Sequence, residues 1–193
     1  SGLVTCWGDD DDGQSTPPPS LFTQLTVGAN HSCGVQGDGS VECWGADDDG
    51  ESSMVPPSTD FIQVSAGRHH TCGIDIDGVV HCWGDDTYSQ SSNAPSVGVF
   101  SKITAGYRHN CAIDSNGFLE CWGDDTESQV SDTPQGTFTD VNAGLWHNCA
   151  IDTSGILHCW GRNGHSQSET DEDGDGIDKL NDCRDLDAAL TNV

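Results

Sequence analysis

Phe61-Ile62-Gln63-Val64-Ser65-Ala66-Gly67-Arg68-His69-His70-Thr71-Cys72-Gly73-Ile74-Asp75-Ile76-Asp77-Gly78-Val79-Val80-His81-Cys82-Trp83-Gly84 decides the fold, because the chain writes this pattern four times. The opening phenylalanines are Phe22, Phe61, Phe100 and Phe138, a period of 38–39 residues. Ala-Gly or Val-Gly follows each, then His-x-Cys, then Cys-Trp-Gly. A fixed period in this range marks one supersecondary unit repeated, as in propellers and solenoids. It also tells against an enzyme, since chemistry sits in one unrepeated constellation and nearly every unusual residue here belongs to the repeat.

Within the unit, Phe61–Ser65 reads as a short strand that Ala66-Gly67 breaks, the glycine permitting positive φ or close backbone approach. His70–Ile74 reads as a second strand, turned at Asp75–Gly78, and Val79–Trp83 as a third. In the first unit a turn centred on Asp38 sets Cys33 directly opposite Cys43. Cysteines facing each other at a non-hydrogen-bonded site of a hairpin have the Cβ approach that a disulfide needs. The same register pairs Cys72 with Cys82, Cys111 with Cys121, and Cys149 with Cys159. Units this small cannot bury a face alone, so neighbours must stack. The expected fold is all-β: a propeller-like array of four three-stranded repeats with a short acidic tail. The expected divisions are an N-terminal Cys-Trp-Gly strand and Pro-rich loop (1–20), four repeats (21–59, 60–98, 99–136, 137–168) and the tail (169–193).

Thirty-two acidic residues against six basic ones give 193 residues a net charge of −26. That field repels nucleic acid and anionic membranes and favours cations as counter-charge. Ten cysteines point to an oxidising compartment. With Ser1 at the start and no membrane-spanning apolar run, the expectation is a secreted or surface-attached product of signal-peptide removal.

Ala66-Gly67-Arg68-His69-His70-Thr71-Cys72-Gly73-Ile74 through Gly78-Val79-Val80-His81-Cys82-Trp83-Gly84 resembles the short repeats of bacterial members of the regulator of chromosome condensation family. The resemblance covers roughly residues 21–161. It implies a β-propeller whose blades are these units, closed by joining N- and C-terminal strands. It does not imply one function, since the family includes a nucleotide-exchange factor on chromatin and a secreted inhibitor of β-lactamases. In this chain, acidic runs follow Cys-Trp-Gly: Asp9–Asp12, Asp47–Asp49, Asp85-Asp86 and Asp124-Asp125.

Both ends depart from the repeat. Leu3-Val4-Thr5-Cys6-Trp7-Gly8 reads as a Cys-Trp-Gly strand with no partner before it, an edge that proteins normally cover. It can pair with the last repeat and close a ring, pair with the next subunit, or lie on the tail with Cys6 bonded to Cys183. The second arrangement is head-to-tail and generates rings or filaments. In the tail, Asp171-Glu172-Asp173-Gly174-Asp175-Gly176-Ile177 has calcium-loop spacing. Asp171, Asp173, Asp175, the Ile177 carbonyl and Asp182 are the expected oxygen ligands, with Asp185 and Asp187 completing the site or serving a second ion. The tail also resembles the Asp-rich metal-binding motif of secreted bacterial proteins and, more distantly, thrombospondin type 3 repeats and dockerins, which implies calcium.

His31, His70, His109 and His147 recur at one repeat position and are expected to hydrogen-bond adjacent backbone rather than hold zinc. Trp44, Trp83, Trp122 and Trp160 are expected to pack between blades. Tyr107 and Trp146 break the pattern and are candidates for a contact surface. Asn30-His31-Ser32 is a formal glycosylation sequon, and Ser/Thr in the Pro-rich loops are candidate O-glycan sites. No nucleophile motif is present. The chain is read as a non-catalytic, secreted, calcium-binding structural protein that assembles with itself into an extracellular filament or surface array. The alternative is a monomeric propeller that binds or inhibits a target protein.

Overall fold

Alternating apolar and polar residues interrupted by glycine give twelve strands among the described residues, built in threes. The structure, a computed structural model, describes residues 3–57 and 60–163. The strands are β1 (Phe22–Val27), β2 (His31–Gln36), β3 (Val41–Gly45), β4 (Phe61–Ala66), β5 (His70–Asp75), β6 (Val80–Gly84), β7 (Phe100–Ala105), β8 (His109–Asp114), β9 (Leu119–Gly123), β10 (Phe138–Ala143), β11 (His147–Asp152) and β12 (Leu157–Gly161). Each repeat forms its own antiparallel sheet, in the orders β1-β2-β3, β4-β5-β6, β7-β8-β9 and β10-β11-β12. The fold is therefore an all-β, propeller-like array of four three-stranded blades.

The hairpin register matches the one read from the turn. Cys33 faces Cys43, Cys72 faces Cys82, Cys111 faces Cys121 and Cys149 faces Cys159. All four pairs are disulfide-bonded, with Cα atoms 4.0–4.1 Å apart. Each first strand carries a bulge just after its phenylalanine. The bulged residue turns outward, and in three units its hydroxyl bonds a second-strand carbonyl: Thr23 to Val35, Ser101 to Ile113, Thr139 to Ile151.

The core lies between units rather than within them, as the small size of each unit demands. Cys33 and Val35 of the first blade pack on Phe61, Val64 and Trp83 of the second. Cys72, Ile74 and Val80 pack on Phe100, Ile103 and Trp122. Cys111 and Ile113 pack on Phe138, Val141 and Trp160. The middle strands β2, β5 and β8 are accordingly buried along almost their whole length. The first strands β1, β4, β7 and β10 run side by side along one face of the array.

The N-terminal segment corrects one expectation. Leu3–Trp7 forms no strand, and its Trp7 is 86% exposed. A single extended segment without a partner gains no ladder hydrogen bonds, so its residues remain outside any sheet. The strand-joined closure implied by the family resemblance is likewise not formed among the described residues. Cys6 is half-buried and has no disulfide partner among them. Cys183, its candidate partner, lies outside the described residues.

Candidate functional site: blade junctions, end faces and an arginine–aromatic surface

A side-chain relay ties each blade to the next. His31 Nε2 meets Thr71 Oγ1, His70 Nε2 meets Asn110 Oδ1, and His109 Nε2 meets Asn148 Oδ1, each at 2.8 Å. The amide groups of Asn110 and Asn148 donate in turn to the carbonyls of Gln90 and Gln129. The same carbonyls accept the indole N–H of Trp122 and Trp160, while Trp83 donates to the Glu51 carbonyl and Trp44 to that of Gln14. Because Asn110 and Asn148 spend their N–H groups on carbonyls, their oxygens face the rings, and Nε2 must carry the histidine proton. Nδ1 of His31, His70 and His109 is then a buried acceptor without a partner. Burial pushes the pKa of His31 and His70 down to about 4, and that of His109 down as well.

His31, His70 and His109 bond the next blade's side chain rather than the adjacent backbone expected of them. The residue inside His-x-Cys is the missed partner. It is Ser32, Thr71, Asn110 or Asn148, always small and polar, which is the signal the sequence carried. The rings also lie against the glycine that ends each first strand. A Cβ at Gly67 would sit 2.2 Å from His70 Cε1 and 2.6 Å from the Gly106 carbonyl oxygen.

Along the first strands a second set of links crosses the junctions. The Gln24 amide bonds both the N–H and the C=O of Val64, and Gln63 does the same to Ile103. Thr26, Ser65 and Thr104 hydroxyls accept the amides of Ala66, Ala105 and Ala143. The third junction differs: Lys102 replaces the glutamine and pairs with Asp140 at 2.7 Å.

The acidic runs fold back on themselves. Asp47 accepts the amides of Ser52 and Ser53, Asp86 those of Ser91 and Ser92, and Asp125 those of Val130 and Ser131. Burial alone raises the pKa of these carboxyls, but the hydrogen bonds outweigh it and hold them below the usual carboxylate range. Asp10 accepts the Ser15 amide in the N-terminal loop in the same way. Glu51 stands where other loops have Gln14, Gln90 and Gln129. It is fully buried, and its Oε1 lies 3.5 Å from His69 Nδ1. Among the described residues no group of three or more His, Cys, Asp or Glu side chains is arranged to hold a metal. The candidate zinc position is filled by disulfides and buried neutral imidazoles.

At the two ends the junction surfaces are partly exposed among the described residues, the Gln14 carbonyl covering Ser32 and Trp44 on the first blade. Ile151 is 38% exposed, where its counterparts Val35, Ile74 and Ile113 are at most 3%. Leu157 is exposed as well, and Cys149 only half-buried. At the other end Leu25 is 45% exposed, against at most 5% for Val64, Ile103 and Val141. Trp83, Trp122 and Trp160 are buried between blades as expected, but Trp44, on the first blade, is half-buried. His147 of the last blade has no relay partner among the described residues.

Tyr107 and Trp146 do come together, with ring centroids 4.6 Å apart. The guanidinium of Arg68 lies 4.7 Å from the Tyr107 centroid, and that of Arg108 lies 5.1 Å from Tyr107 and 4.6 Å from Tyr88. Asn30 is half-buried, donates to Asp12, and is followed by the buried His31 and Ser32. The calcium candidates Asp171, Asp173, Asp175, Ile177, Asp182, Asp185 and Asp187 lie outside the described residues.

Blades tied by their first strands and disulfide hairpins define a repeat protein of the propeller class. Three of the four units match the regulator of chromosome condensation (RCC1) repeat, over residues 61–90, 100–129 and 138–167. The chain thus carries RCC1-like repeats. It is similar to the ectodomain of the Physcomitrella patens receptor kinase CR4, with 26% identity and a TM-score of 0.70 over 82% of this chain and 47% of that one. The CRINKLY WD40 ectodomain of the Arabidopsis thaliana receptor kinase ACR4 is 27% identical, with a TM-score of 0.62 over 74% and 50%. Prp20p from Saccharomyces cerevisiae, described with its binding properties to Gsp1p and histones, shares the fold at 18% identity and a TM-score of 0.67, over 81% and 48%. The chain spans about half the length of these structures. No curated protein sequence matches it.

Proposed function

We propose that this chain is a non-catalytic, secreted structural protein that joins copies of itself head to tail into an extracellular filament or surface array. The observation that carries the reading is the pair of end faces. The last blade presents Ile151, Leu157, the Cys149–Cys159 disulfide and His147, and the first presents Leu25 and the half-buried Trp44. Inside the molecule these surfaces meet three times, as Val35 with Val64 and His31 with Thr71 do at the first junction. A second copy therefore supplies a fitting occupant for each face. Four disulfides fit an oxidising compartment. No helix of the described residues is long and apolar enough to cross a membrane. Calcium held by Asp171, Asp173, Asp175, Ile177, Asp182, Asp185 and Asp187 belongs to the same proposal, as a cation that offsets the charge of neighbouring copies.

Sedimentation of the Ile151→Lys and Leu25→Lys variants tests this. Each alone is expected to be monomeric, because it spoils one half of every contact. An equimolar mixture retains one good contact and is expected to stop at dimers, whereas the unmodified chain grows further or closes. Adding a chelator is expected to shorten the assemblies. Monomeric unmodified protein at all accessible concentrations would defeat the reading. A second reading, a propeller that binds a target protein, has the arginine–aromatic surface in its favour.

A further inference from the structure

Arginine in a chain this acidic has a large choice of carboxylate partners, so the arginines without one stand out. The chain holds thirty-two acidic and six basic side chains. Of the described cations, Lys102 takes a carboxylate at 2.7 Å. Arg68 and Arg108 pair with none among the described residues. They are instead brought together against one ring, both guanidinium carbons lying within 5.1 Å of the Tyr107 centroid. Two like charges set beside one ring repel each other, and an anion that reaches both relieves that repulsion. The aromatic faces offset part of that repulsion and fix the orientation of both guanidinium planes. Arg108 is further held by a bond from Nη1 to the Tyr88 hydroxyl at 2.9 Å, its one side-chain hydrogen bond among the described residues.

The elements that carry these residues are the turns after the first strands of the second, third and fourth blades, together with the loop that bears Tyr88. The repeat places successive turns side by side, which explains how residues forty positions apart converge. The fourth turn adds Trp146, whose ring packs against Tyr107 at a tilt of 45°, and Leu145, which is 64% exposed. The result is a strip in which two forked cations are bordered by aromatic and aliphatic surface. Arginine, tyrosine and tryptophan are the residues that concentrate binding energy in protein interfaces.

We propose that Arg68, Arg108, Tyr107, Trp146 and Leu145 form a docking site for a short segment of a partner protein that carries two carboxylates flanked by apolar side chains. Each carboxylate is received by one guanidinium fork, and the flanking side chains lie on the Tyr107–Trp146 and Leu145 surface. The net charge of −26 selects against long polyanions, which are repelled by the rest of the surface, and leaves a short acidic segment as the ligand that gains more than it loses. The proposal does not depend on self-assembly, because Arg68, Arg108 and Tyr107, which carry it, lie in turns of the second and third blades rather than on a terminal blade.

Fluorescence anisotropy with the labelled peptide Gly-Phe-Glu-Glu-Leu-Gly, against the control Gly-Phe-Gln-Gln-Leu-Gly, tests it. The expected result is a preference of about tenfold or more for the glutamate peptide, weakened by salt, as charge-assisted hydrogen bonds to arginine require. Arg68→Gln with Arg108→Gln is expected to abolish the preference while the melting temperature stays unchanged. If that pair of substitutions unfolds the protein, Tyr107→Phe and Leu145→Ser serve in its place. Leu145→Ser is then expected to weaken the peptide, and Tyr107→Phe to leave it bound. Equal affinity for the two peptides overturns the proposal, as does a preference that survives the arginine substitutions. Tighter binding of a sulfated heparin fragment, lost in the same variant, overturns it in favour of an anionic glycan.

Discussion

At the scale of single residues, the junction histidines make a definite prediction about acid. Asn110 Oδ1 and Thr71 Oγ1 accept hydrogen bonds from Nε2 of His70 and His31, and Nδ1 of both rings has no partner among the described residues. Protonation would create a buried N–H with no acceptor, and the loss of hydration outweighs the attraction of Asp47 on His31 and of Asp85 on His70, so burial lowers both pKa values to about 4. An unfolded chain titrates these rings near 6.5. Between those limits the unfolded state binds more protons, so stability is full above about pH 6.5 and falls as the pH drops toward 4. Denaturant titrations from pH 7 to 4 are expected to show that decline. His70→Gln is expected to flatten it while costing about 1–3 kcal/mol at neutral pH, through the relay it loses. A slope unchanged by the substitution would contradict the argument.

At the scale of the blade, the disulfide is part of the junction as well as a staple within the hairpin. Cys33, Cys72 and Cys111 have no exposure and sit in the clusters that join each blade to the next. Cys72→Ser with Cys82→Ser is therefore expected to lower stability by roughly 2–3 kcal/mol from loop closure alone. The loss should exceed that, because a hydroxyl replaces sulfur against Ile103 and Trp122. Equilibrium denaturation measures it, and a loss well under that range would place the disulfide outside the core. The blade was legible from sequence because its period, its turn at Asp38 and its facing cysteines constrain one another. Strand ends fell within a residue or so of the expected ones. The relay was less legible, since Thr71 and Asn110 act across a junction between residues forty apart, where no local pattern marks the partner. The Leu3–Trp7 segment misled because a strand-like sequence does not make a strand without a neighbour to bond. The loop acids show what composition leaves open: Asp47, Asp86 and Asp125 each turn Oδ1 inward to two amides of their own loop.

At the scale of the whole molecule, charge and the end faces oppose each other. In the proposed assembly, copies that each carry −26 repel, and the exposed apolar residues around Ile151 and Leu25 supply the attraction. Screening removes the first term and leaves the second almost untouched. Association is thus expected to strengthen as sodium chloride rises from about 0.02 to 0.5 M, over which the screening length shrinks several-fold. Light scattering across that range reads the effect, and dissociation by salt would mean that charge pairs rather than apolar faces hold the copies. One junction has a further consequence. The first two are joined by glutamine to backbone, a grip that any following blade can accept, whereas Lys102 is joined to a particular side chain, Asp140. A blade shuffled into third place would find its neighbour's address written in charge. The order of the blades is therefore encoded at one seam, and the others tolerate duplication or exchange.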